Sequence, residues 1–102
     1  MIVGNNSAGG AREIGIWDNL NVAGNTSIVG NVGIGTATPS YKLDVNGDVI
    51  NNGWYRSRGM TGWYSETYGG GIYMEDSTWV RTYNSKSFWT NSTLGSNAGL
   101  TV

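Results

Sequence analysis

A chain of 102 residues with 13% charged positions and a net charge of -1 has room for one compact domain at most. It has neither the charge excess of a disordered tail nor the Lys/Arg cluster that nucleic-acid binding requires, so no nucleic-acid partner is expected. No Cys or His is present, which removes disulfide frameworks, nucleophilic triads and the common zinc sites; no metal or cofactor is expected.

Ile, Val, Leu and Phe together number 20, near the lower limit for ordinary globular burial. Order in so lean a chain implies burial gained from neighbouring chains, and an obligate oligomer is expected. Seventeen glycines without a Gly-X-Y period exclude collagen, and a single proline excludes a proline-rich linker. No apolar run reaches a membrane span or a signal-peptide core, so no membrane insertion is expected.

Three zones follow in chain order. Residues 1–12 read as a flexible lead-in. Residues 13–50 read as a stalk of short strands, because Ile14, Ile16, Leu20, Val22, Ile28, Val32 and Ile34 fall on even positions, the period of a half-buried strand. Gly24-Asn25 and Gly30-Asn31 supply turn chemistry between them. The pattern Leu-x-Val-x-Gly-(Asn/Asp) occurs at Leu20 and again at Leu43, a weak internal repeat around the proline-marked bend at Pro39.

Residues 51–102 read as an aromatic, Gly-rich β-domain. The stretch Asn52–Asn91 holds all but one of the five Trp and all but one of the six Tyr. Strands are expected at Trp54–Arg58, Trp63–Tyr68, Ile72–Glu75, Ser77–Tyr83 and Ser87–Thr90, with Gly69-Gly70-Gly71 as a tight turn. The tryptophans are expected in the core, since a ring of that size is costly to leave in water. Tyrosine tolerates a wet edge, so Tyr55, Tyr64, Tyr68, Tyr73 and Tyr83, with Arg56, Arg58 and Arg81, form the candidate ligand-binding set. The competing reading pairs Arg56 and Arg81 with Glu66, Glu75 or Asp76.

Two stretches carry a resemblance. NVGIGTATPSYKLDVNGDV, starting at Asn31, resembles a linker found in bacteriophage tail fibres and related trimeric receptor-binding proteins. GWYRSRGMTGWYSETYGGGIYMEDSTWVRTYNSKSFWTN, starting at Gly53, resembles a distal module shared by phage tail fibres and shufflon-type pilus-tip adhesins. The resemblance implies an all-β, intertwined parallel homotrimeric fibre, extracellular on a virion tail fibre or a conjugative pilus tip. It also implies non-catalytic attachment to a bacterial surface through lipopolysaccharide or another surface glycan, with avidity from three identical sites. The rest of the fibre or adhesin is expected outside this stretch.

Other chemistry is weaker. Asp44, Asn46 and Asp48 have calcium-loop spacing, but an Asn-Gly turn accounts for them and Tyr55 stands where the closing Glu belongs. Gly33-Ile34-Gly35 lacks the third glycine of a dinucleotide fingerprint. Glu66 with Glu75 or Asp76 would make a glycosidase pair in a polysaccharide hydrolase, the remaining alternative beside a purely structural spacer.

Overall fold

The computed structural model describes residues 14–101. The predicted lead-in at 1–12 lies wholly outside them, and what is said below concerns the described residues. These contain no helix and five short strands: β1 Val32–Ile34, β2 Leu43–Val45, β3 Gly62–Ser65, β4 Gly70–Tyr73 and β5 Arg81–Tyr83. The all-β class is therefore observed. The chain divides into two units, Met1–Val49 and Ile50–Val102.

In the first unit β1 and β2 pair in parallel, with Val32 opposite Leu43, Gly33 opposite Asp44 and Ile34 opposite Val45. Each strand is about 10 Å long, so residues 35–42 suffice for a return that ordinarily takes about a dozen residues or more. That return lies over the Gly33 side of the pair. A Cβ on Gly33 would run into the Thr36 carbonyl and come within 3.4 Å of the Pro39 ring. Polar side chains pin the path. Asp44 accepts from the Ser40 N–H at 3.0 Å, Asn31 donates to the Pro39 carbonyl at 3.3 Å, and Lys42 donates to the Val29 carbonyl at 2.8 Å. Asn46 closes the ladder with its own N–H on the Ile34 carbonyl at 2.9 Å. Gly35, at φ +74, gives the left-handed corner from which the return starts.

Covering one side leaves the other bare. Val32, Ile34, Leu43 and Val45 share the opposite face by register, and Ile34 and Leu43 remain 55% and 59% exposed. The second copy of the repeat, Leu43–Val45, is a strand because β1 supplies its partner. The first, Leu20–Val22, has none and is not a strand.

The second unit is an antiparallel sheet in the order β3-β4-β5. Trp63 faces Ile72 and Ile72 faces Thr82 across the ladder; Tyr64 faces Gly71 and Gly71 faces Tyr83. Residues 66–69 join β3 to β4, closed by the Gly69 N–H on the Ser65 carbonyl at 2.8 Å, with Gly69 at φ +67. Here the expected glycine turn is corrected. Only Gly69 belongs to the turn; Gly70 and Gly71 begin β4 and are buried. Their place is set by close approach, since a Cβ on Gly71 would run into the Trp63 carbonyl and one on Gly70 into the Lys86 stem.

Asp76 shortens the strand expected at Ser77–Tyr83. Its Oδ1 accepts from the N–H groups of Thr78 at 2.8 Å and Trp79 at 3.0 Å, which removes those donors from any ladder and delays β5 to Arg81. The segments Trp54–Arg58 and Ser87–Thr90 find no ladder partner and are not strands. The expected tryptophan core is also corrected: no hydrophobic side chain is buried among the described residues, and Trp17, Trp54, Trp63, Trp79 and Trp89 are all exposed. One three-stranded sheet has no second layer against which to bury them.

Candidate functional site

The register of the second unit sorts its side chains onto two faces. On the first, Tyr64 and Tyr83 meet edge-on above Gly71, with ring centroids 6.0 Å apart and planes at 61°. Gly71 has no side chain to hold them apart. Tyr73, two residues along β4 on the same face, meets Tyr83 at 5.3 Å and 79°. Beside Tyr73 lies Arg81, whose guanidinium is 2.8 Å from Asp76 Oδ2 and whose Nε is 3.3 Å from Glu75 Oε1. The first contact is a hydrogen bond; the second is an ion contact only, and Nε donates no hydrogen bond. Tyr73 donates its hydroxyl to Glu75 Oε2 at 3.3 Å.

The electrostatics of this corner close on themselves. The Arg81 hydrogen bond, followed by the two backbone N–H groups, holds the Asp76 carboxyl well below its usual 3.8, at about 2. The same bond to Asp76 raises Arg81. Tyr73 is raised by desolvation and then by the Glu75 charge beside it. Four of the candidate ligand residues, Tyr64, Tyr73, Arg81 and Tyr83, thus stand together on one face, and Arg81 is engaged in the ion pairing that the competing sequence reading described.

The other candidates lie elsewhere. Tyr55, Arg56 and Arg58 are exposed in the irregular segment before β3, where Thr61 donates to the Arg58 carbonyl at 2.7 Å and Ser57 to the Thr61 carbonyl at 3.0 Å. Tyr68 sits in the β3–β4 turn and borders the opposite face.

That opposite face carries an open groove of about 300 Å³. Its floor is the cross-strand row Trp63, Ile72 and Thr82, and its wall is the segment after β5, with Lys86, Phe88 and Trp89. The wall stands there because Asn84 and Ser85 both take positive φ, 64° and 57°, a left-handed bend that turns the chain back. Asn84 is held in place by donating to the Gly69 carbonyl at 2.7 Å. Sequence reasoning assigned the tryptophans to a core and missed this groove; the Tyr-Asn-Ser-Lys turn was the signal that pointed to it.

Among the described residues no group of three or more His, Cys, Asp or Glu converges in a way that would hold a metal ion. Asp44 Oδ2 accepts the Ser40 N–H at 3.0 Å, and Asn46 donates its side-chain amide to the Gly35 carbonyl at 3.4 Å.

Among the described residues, two small sheets, no helix and rings left open to solvent define a turn-pinned β-module with no buried hydrophobic side chain. The chain belongs to the bacterial shufflon protein N-terminal constant region family, whose model matches residues 4–99. Shufflon protein A' and shufflon protein B of Escherichia coli are each 50% identical to it over 52 residues, a stretch covering 46% of this chain and 12% of the relative. Shufflon protein D' of Escherichia coli matches equally well over 11% of its length. The chain therefore spans only about 12% of the curated relatives it matches. No solved structure matches it.

Proposed function

We propose that this chain is a segment of a non-catalytic, pilus-associated surface adhesin, extracellular, that works as a parallel homotrimer and attaches to a bacterial surface glycan, lipopolysaccharide foremost. Family membership favours the pilus setting over the tail-fibre one. The observation that carries the reading is the uncovered apolar surface: the described residues of both units are held by turns and ladders, yet none of them buries a hydrophobic side chain. Further copies covering the strip Val32, Ile34, Leu43 and Val45 would supply the missing burial at about 25 cal/mol per Å². Glu75 and Asp76 are engaged by Arg81, which favours attachment over hydrolysis. The test is retention of the chain on lipopolysaccharide-coated beads and on intact cells, alongside its native mass. Retention with the mass of three chains supports the reading; a monomer that binds neither surface overturns it.

A second reading is favoured by the family's own description as a constant region. In it the chain is a structural spacer, and recognition belongs to sequence elsewhere in the protein. A trimer that neither cells nor lipopolysaccharide retain selects this spacer.

A further inference from the structure

The two faces of the second unit differ in electrical closure. On the tyrosine face the cation Arg81 is matched by Glu75 and Asp76. On the groove face, among the described residues, the only ionised lining residue is Lys86, and no carboxylate lines the groove. Among the described residues, no hydrogen bond or ion pair reaches the Lys86 ammonium. Its stem lies across Gly70, so closely that a Cβ there would strike its Cγ and come within 2.9 Å of its Cε. Gly70 is the notch that seats the lysine.

Around this charge stand flat apolar rings. Trp63, Phe88 and Trp89 are 67%, 68% and 86% exposed, and the hydroxyl-bearing residues Ser65, Thr82 and Ser87 also line the groove. Open aromatic faces take the polarised C–H face of a pyranose ring, hydroxyl groups orient it, and an unpaired ammonium selects an anion. One lysine balances one carboxylate; a phosphate monoester, at about −1.5 to −2, leaves charge unmatched. We infer that the groove between Trp63 and Trp89 is a binding site for a carboxylate-bearing sugar, with the rings stacking on the pyranose and Lys86 pairing with its carboxylate. The inference rests on the glycan-attachment reading and names both a site and a ligand class for it. A second copy of the chain fits this groove less well, because covering it would strand the Lys86 charge. The strip Val32, Ile34, Leu43 and Val45 carries no such charge.

The test is titration of the whole chain with tetragalacturonate and with neutral maltotetraose, read by tryptophan fluorescence and by the Trp63 and Trp89 indole N–H signals. Expected are saturable shifts with tetragalacturonate. Lys86→Met keeps the stem on Gly70 and removes the charge; it should weaken that binding about tenfold or more while near-UV circular dichroism stays unchanged. Trp89→Ala should abolish the fluorescence response. Three results would each overturn the site: no tetragalacturonate response, equal binding by Lys86→Met, or indole shifts that follow protein concentration and not saccharide. If the wild type and Lys86→Met adhere equally to cells, the groove assignment fails and the attachment reading survives; if neither adheres while tetragalacturonate binding persists, the reverse holds.

Discussion

Gly71 occupies the point where two constraints meet. It is the middle of the row Tyr64, Gly71, Tyr83, and its Cα lies where a side chain would meet the Trp63 carbonyl. Gly71→Ala should therefore destabilise the second unit by about 1–3 kcal/mol, the usual cost of overpacking. Gly53→Ala, with nothing within 4 Å of the new methyl, should stay within about 0.5 kcal/mol. Urea melts followed by tryptophan fluorescence compare the two. Asp76 is the second decisive residue. Its folded pKa lies below its usual 3.8, so the folded state binds fewer protons and the contribution to stability is complete above that pH. It is lost as pH falls from 3.8 towards about 2. An acid titration by near-UV circular dichroism should show a step in that window, and Asp76→Asn, which keeps a side-chain oxygen for Thr78 and Trp79, should lack it.

Among the elements, the turns carry more of the fold than the strands, since every strand is three or four residues long. The Asn84-Ser85 reversal decides where Lys86, Phe88 and Trp89 go. Asn tolerates the left-handed region that a β-branched residue resists, and its amide also reaches the Gly69 carbonyl. Asn84→Val should cost about 1–2 kcal/mol and displace the groove wall, seen as a change in tryptophan emission, whereas Asn84→Gly should lose only the side-chain bond. The β1–β2 pair depends on the same economy of means. Asp44, through one carboxylate oxygen, and Asn46, through its backbone N–H, hold residues 35–42 and the ladder end.

At the scale of the whole molecule, the missing quantity is burial. With no hydrophobic side chain buried in the described residues, backbone order costing about 1–2 kcal/mol per residue has little apolar burial within one chain to offset it. The proposed homotrimer predicts a native mass near three times 10.9 kDa by light scattering, and a melting temperature that rises with chain concentration. Ile34→Asp, placing a charge in the bare strip of the first unit, should shift that mass towards one chain. A wild-type chain that melts independently of concentration at single-chain mass would refute the assembly.

Local chemistry was readable without coordinates. Period-two alternation reaching Val32 and Ile34, the Leu-x-Val repeat at Leu43, the aromatic alternation of Trp63 and Tyr64, and the Gly and Asn corners specify strands and reversals through neighbouring residues alone. The shortage of aliphatic side chains likewise foretold that one chain would lack a core. Pairing across the chain was not readable, because a strand exists only where a distant segment completes its ladder: Leu20–Val22 lacks one and Leu43–Val45 has β1. The same dependence put Gly70 and Gly71 into β4 instead of a turn and brought Lys86 to the groove that Trp63 and Trp89 line, whereas the local pairing of Arg81 with Asp76 was among the sequence readings. Register determines which side of a sheet a residue faces, and register is a property of pairs of distant segments, not of either segment by itself.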